Sequence, residues 1–130
     1  MQDRGWWLAT ALSGALTVMA GAFGAHALAD ELTPRLLTAY ETGVRYQAWH
    51  GLAMLGVLAW RATRPLPGQH WVLGLWLAGV IGFSGSLYAL ALGGVGGLGA
   101  ITPLGGLLLI AGWLALAATV WRAQSPSGKT

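Results

Sequence analysis

Between Pro65 and Trp121 the sequence runs for 57 residues without a single Asp, Glu, Lys or Arg. A folded surface in water carries ionic groups throughout, so a soluble domain is excluded for this part of the chain. One crossing of a bilayer takes ~20 apolar residues, and a run of 57 suits two crossings rather than one. The interruption between them is visible as Gly93, Gly94, Gly96 and Gly97, turn-formers with no helical pattern of their own. The chain is expected to be an integral membrane protein.

Composition supports this. Hydrophobic residues make up 55% of the 130 positions and charged residues 8%, and there are eight tryptophans. Trp6, Trp7, Trp60, Trp71 and Trp121 stand near the ends of apolar runs, where indole rings anchor at the membrane–water interface. No cysteine is present, which excludes disulfides, iron–sulfur clusters and thiolate metal sites. The formal charge of +3 is dispersed along the chain. It forms no basic stripe for nucleic acid and fits membrane orientation instead. The first apolar run, Gly5–Ala29, holds 25 uncharged residues. Its Ala27-Leu28-Ala29 end imitates a signal-peptide cleavage site, but the run exceeds a signal core and is read as a retained helix.

The sequence predicts a single membrane domain over residues 1–130 with spans at residues 5–28, 42–60, 71–92 and 102–121 and a polar tail at 123–130. Thr33-Pro34 is a helix start, a cap followed by proline at the first helical position, and Thr102-Pro103 is read the same way. No proline follows Pro34 until Pro65, so the second helix is expected to reach ~42 Å, longer than the ~30 Å hydrocarbon core. The excess, Pro34 to Gly43, is expected to lie on the membrane surface as an amphipathic extension, with a bend at Gly43. Small residues recur every fourth position at Ala9, Ser13, Thr17, Gly21 and Ala25, and again at Gly74, Ala78, Gly82 and Ser86. Such stripes let helix backbones approach closely in lipid. With the N-terminus inside, five cations (Arg4, Arg61, Arg64, Arg122, Lys129) lie within and two (Arg35, Arg45) outside, placing both termini in the cytoplasm.

Polar groups within spans are expensive and point to sites. Counted from the outer charges, His26 and His50 are expected at matched depth in the outer half. Tyr46, Gln47, Ser84, Ser86, Tyr88 and Thr102 join them there, while the inner half reads as almost purely apolar. Glu41 and Arg45 form an i, i+4 ion pair on this reading. The cluster has a bland explanation, in which these groups hydrogen-bond one another and glue the bundle. Alternatives are axial ligation of a b-type haem by His26 and His50, a zinc site joining them to Asp30 and Glu31, or an outward-opening pocket for lipid, quinone or a small solute. Catalysis has little support, because no carboxylate lies deep in a span and no base stands beside Ser84 or Ser86.

Four motifs, Gly21-Ala-Phe-Gly-Ala-His-Ala-Leu28, Tyr46-Gln-Ala-Trp-His50, Gly85-Ser-Leu-Tyr88 and Ile101-Thr-Pro-Leu-Gly-Gly106 with Gly112-Trp113, occur in order. Over residues 5–120 the chain resembles the small inner-membrane family numbered 423 among the domains of unknown function, of the YgdD, YwdK and transmembrane protein 256 type. The resemblance implies a four-helix membrane protein and transfers no activity. The reading is thus an all-α integral membrane four-helix bundle of the bacterial inner membrane, without enzymatic activity and without metal or cofactor. Its expected role is an accessory or structural component of the membrane or of a membrane complex. Its partners are the lipid bilayer and a homo-oligomer or larger complex, with no nucleic acid. The alternative is a binder or carrier of lipid, quinone or haem through the outer-half cluster.

Overall fold

A computed structural model describes residues 2–94 and 96–125. It contains four long helices: α1 (Arg4–Phe23), α2 (Pro34–Thr63), α3 (Gly68–Gly93) and α4 (Ile101–Gln124). A single π turn, Gly24–Leu28, continues α1, and a short 3-10 segment, Gly96–Ala100, leads into α4. Three stretches, Arg4–Leu28, Gly68–Gly93 and Leu98–Gln124, are long and apolar enough to cross a membrane. The expected fold class, an all-α bundle of four helices, is what forms.

Successive helices pack side by side, α1 on α2, α2 on α3 and α3 on α4. They run antiparallel, so Asp3, Arg61, Gln69 and Ala123 meet at one end, here the terminal end. The π turn and the start of α2 form the far end. The main core lies in the terminal half and joins Met54, Leu58, Leu73, Trp76, Val80 and Leu109 from α2, α3 and α4. A smaller cluster at the far end gathers Leu28, Tyr40 and Ala91.

The α3–α4 contact is the closest in the molecule, and its glycines explain why. A Cβ on Gly105 would stand 2.3 Å from the backbone N of Phe83, and one on Gly112 would stand 2.3 Å from Cδ1 of Trp76. Both positions therefore require a residue without a side chain. The stripes of small residues behave accordingly. Ser13 and Gly21 face α2, through Gln47 and Val44, and Gly82 lies against Gly105 of α4.

Three local expectations are corrected. First, α2 is one continuous helix from Pro34, with Thr33 Oγ1 accepting from the Leu36 N–H at 3.3 Å as the cap. No bend interrupts it, because Tyr40 and Gly43 are buried against α1 and α3 within the same run of helix. Gly43 is the place where α3 comes close, not a bend. Second, Thr102 is not a cap: α4 begins at Ile101 out of the 3-10 segment, and the Thr102 hydroxyl turns to Ser86 instead. Third, α4 continues through Gln124 into what was read as tail. Pro126–Thr130, including Lys129, and Val95 of the glycine-rich turn lie outside the described residues. Gly94 ends α3 in the left-handed region at φ 62°, a conformation that suits glycine.

Candidate functional site

The polar side chains do not form the one outer cluster that the sequence suggests; they form separate knots. The first joins α1, α2 and α3. Tyr88 donates to Gln47 Oε1 at 2.6 Å, and Gln47 Nε2 donates to the Ser13 carbonyl at 3.1 Å and to its hydroxyl at 3.3 Å. Beside it Ser84 donates to the Gly43 carbonyl at 2.7 Å, and Tyr40 donates to the Ala20 carbonyl at 2.5 Å with its ring 5.2 Å from that of Tyr88. Two antiparallel helices at close range make this possible, since Gln47 and Tyr40 are two turns apart on one face of α2.

The second knot is aromatic and centres on His50, which is 4% exposed. Its Nδ1–H donates to the Tyr46 carbonyl at 2.7 Å and its Nε2 accepts from the Trp113 indole at 3.0 Å. Those partners require the neutral ring with the proton on Nδ1. The Tyr46 ring stacks on His50 at 6.2 Å and tilts against Phe83 at 4.7 Å. Trp76, fully buried, lies 4.6 Å from Trp113, and its indole nitrogen has no acceptor among the described residues. The third knot is the pair Ser86–Thr102, 2.5 Å apart between α3 and α4. Ser86 and Tyr88 are two residues apart, so on a helix they point to nearly opposite sides, one toward α4 and the other toward α2.

His26 joins none of these. It is exposed within the π turn and makes no hydrogen bond among the described residues. Gln47 is level with Ser13, so His26, thirteen residues along α1, is ~20 Å from that level, and His50, three residues the other way on the antiparallel α2, is ~24 Å from His26. The expected depth match fails because α2 starts to pack on α1 from Tyr40 onward, which carries His50 to mid-bundle. A haem between these two histidines has no geometric support, and both ring nitrogens of His50 are already engaged. Nor do the histidines, Asp30 and Glu31 assemble a zinc site: among the described residues no group of three or more His, Asp or Glu stands close enough to hold a metal. Glu41 and Arg45 are both exposed and unpaired with each other; among the described residues the one ion pair joins Arg61 to Asp3.

That pair belongs to a network that the sequence reading misses, at the end where it places the inner cations. Arg61, 9% exposed, donates Nε to Asp3 Oδ2 at 2.6 Å, Nη1 to the Leu66 carbonyl at 3.2 Å and Nη2 to His70 Nε2 at 2.6 Å. Gln69, fully buried, accepts from the Leu66 N–H at 2.8 Å and donates to the Arg64 carbonyl at 3.1 Å. Arg61 and Gln69 flank the Pro65–Pro67 turn, and they fold inward because its backbone carbonyls need donors. The signal available was a polar residue on each side of a tight turn between buried helices.

The family profile described as "Protein of unknown function (DUF423)" matches residues 20–106. The chain belongs to the DUF423 family. Similar DUF423 relatives include the UPF0382 inner membrane protein YgdD of Escherichia coli strain K12, 37% identical over 113 residues, covering 87% of this chain and 86% of that protein. YwdK of Bacillus subtilis is 40% identical over 106 residues, covering 80% and 85%. A UPF0382 membrane protein of Staphylococcus haemolyticus is 46% identical over 108 residues, covering 82% and 86%. No solved structure matches the chain. This DUF423 chain is therefore a membrane protein, and the profile covers the π turn, Gln47, His50, Tyr88 and the Ser86–Thr102 pair, while Ser13 and Trp113 lie outside it.

Proposed function

We propose that the chain is a non-enzymatic accessory component of the inner membrane, crossing it four times with both ends on the cytoplasmic face. The observation that carries this reading is the pairing of the interior polar groups with one another. Ser13, Gln47 and Tyr88 are engaged together, as are His50 with Trp113 and Ser86 with Thr102. Groups so engaged hold helices in register and are not poised over a substrate. The second helix is taken as a span because it lies between α1 and α3 and buries Gly43, Gln47, His50 and Met54 against them. Arg4, Arg61, Arg64 and Arg122 gather at the terminal end, which supports its cytoplasmic placement. The name of YgdD as an inner membrane protein supports the location.

The test is in-cell crosslinking followed by native electrophoresis in mild detergent. An accessory component migrates in an assembly larger than the single chain and carries the same neighbour in repeated captures. Migration only as the free chain overturns the reading. One observation favours a second reading, a carrier of a hydrophobic molecule: a cleft runs between α1 and α3.

A further inference from the structure

The far end carries a recess with charge on its rim. About 280 Å³ in volume, it lies between α1 and α2, with Gly21, Gly24 and Ala25 on one side and Val44, Glu41 and Arg45 on the other. The helices touch through Tyr40 and Val44: a Cβ on Gly24 would stand 2.6 Å from the Tyr40 ring, and one on Gly21 would stand 3.6 Å from Val44. Glu41 and Arg45 each follow one of these residues in the chain, so they occupy the flank of α2 beside the contact. Both are exposed. A Glu with an Arg four residues on ordinarily pairs with it on a helix surface. Here the pair is open, and among the described residues the one ion pair is Arg61 with Asp3. Each charge of the recess is left for a counter-charge from elsewhere. The opposite wall includes Gly24 and Ala25 of the π turn, and π turns are rare and frequently mark functional sites.

Depth decides what supplies those counter-charges. The Asp3–Arg61 pair marks one level at the terminal end. Counted from it, Gly21 and Ala25 stand ~27 Å and ~33 Å along α1, and Arg45 and Glu41 stand ~24 Å and ~30 Å along α2. The hydrocarbon core is ~30 Å thick, so with the ion pair at one boundary the recess opens at the other, where lipid headgroups lie. The two charges also have an order, since Arg45 is four residues, ~6 Å, deeper than Glu41. In an amine phospholipid the phosphate is likewise the deeper group and the ammonium ends further out. A guanidinium matches a phosphate bidentately, and a carboxylate accepts from an ammonium N–H. A glycerol headgroup has no cation for Glu41, and a choline has no N–H to donate. Drug-sized ligands occupy pockets of about 300 Å³ or more, so this recess suits a headgroup whose tails stay in the bilayer.

We propose that this recess binds the headgroup of one phosphatidylethanolamine from the leaflet at the far end, with its phosphate on Arg45 and its ammonium on Glu41. The site needs only that α1 and α2 cross the bilayer, and it stands apart from both the accessory and the carrier readings.

The test loads the purified full-length protein separately with the dioleoyl forms of phosphatidylethanolamine, phosphatidylcholine and phosphatidylglycerol, whose tails are identical, and reads retention by native mass spectrometry. One equivalent of the ethanolamine lipid is retained, and the other two are held about tenfold more weakly for want of one charge-assisted hydrogen bond. Glu41→Gln removes the preference over the choline lipid, and Arg45→Gln weakens retention of the ethanolamine lipid about tenfold. Exchanging the pair, Glu41→Arg with Arg45→Glu, keeps the net charge but reverses the order, and it gives the same loss. Arg35→Gln removes an exposed cation at the same end that does not line the recess and changes nothing. Equal retention of all three lipids overturns the headgroup assignment, as does stronger retention of phosphatidylglycerol. Ethanolamine retention that survives the exchange places the lipid elsewhere and overturns the site. Soluble phosphoethanolamine, offered alone, is not retained; retention as strong as that of the lipid would move the ligand out of the bilayer and overturn the lipid assignment. Retention of no lipid overturns the proposal outright and leaves the accessory reading standing.

Discussion

Gly105 shows what a single atom decides in this bundle. Its missing Cβ lets α4 lie against the backbone of Phe83 and Gly82, and backbone cannot rotate away as a side chain can. Gly105→Ala is therefore expected to destabilise the protein by about 1–3 kcal/mol through overpacking, read as a lower thermal midpoint in detergent. Gly56→Ala is the control: nothing lies within 4 Å of its added Cβ, so the helix gains up to about 1 kcal/mol of propensity. Tyr88→Phe leaves Gln47 Oε1 without its donor and is expected to lower stability by about 0.6 kcal/mol, the average for an interhelical bond in a membrane. At this scale the sequence was partly legible. Gln47, His50, Ser86, Tyr88 and Thr102 were singled out as polar groups within spans, and each is engaged between helices. Their partners were not, because Ser13, Ala20 and Trp113 are ordinary residues in an apolar run. Only the fold says which of them faces an amide or an imidazole.

Among the elements, α1 is the one held by isolated ties. Asp3 bonds Arg61, Ser13 receives Gln47 and Ala20 receives Tyr40, while Leu12, Leu16, Val18 and Met19 stay exposed. Asp3→Ala removes the ion pair of a nearly buried guanidinium and is expected to cost about 2 kcal/mol. Combined with Tyr40→Phe it should release α1 first, so hydrogen exchange accelerates across Arg4–Phe23 while α3 and α4 stay protected. Protection lost uniformly in all four helices would contradict this picture. Helix starts and ends were legible where a local signal sufficed, as at Thr33-Pro34 and the glycines after α3. The bend at Gly43 was a misreading: a glycine inside a long helix was taken for a break, whereas Gly43 is where Leu87 and Tyr88 of α3 come close to an unbroken α2.

At the scale of the whole molecule, orientation is open to a clean measurement, since the chain has no cysteine to interfere. Glu31→Cys, in the exposed loop of the far end, is expected to label with an impermeant reagent from outside intact cells, and Gln124→Cys only after permeabilisation. The reverse pattern would invert the proposed topology. Bundle architecture was readable from the apolar runs, but the order of packing was not. Nothing in the sequence ranks the helix pairs, yet α3 and α4 pack closely along Gly82 and Gly105 and α1 is set apart from α3. That separation has a consequence for biosynthesis. The cleft has walls made first and third in the chain, so it does not exist until the ribosome has passed Leu92. Any molecule seated there would have to enter sideways from the bilayer after α3 has taken its place.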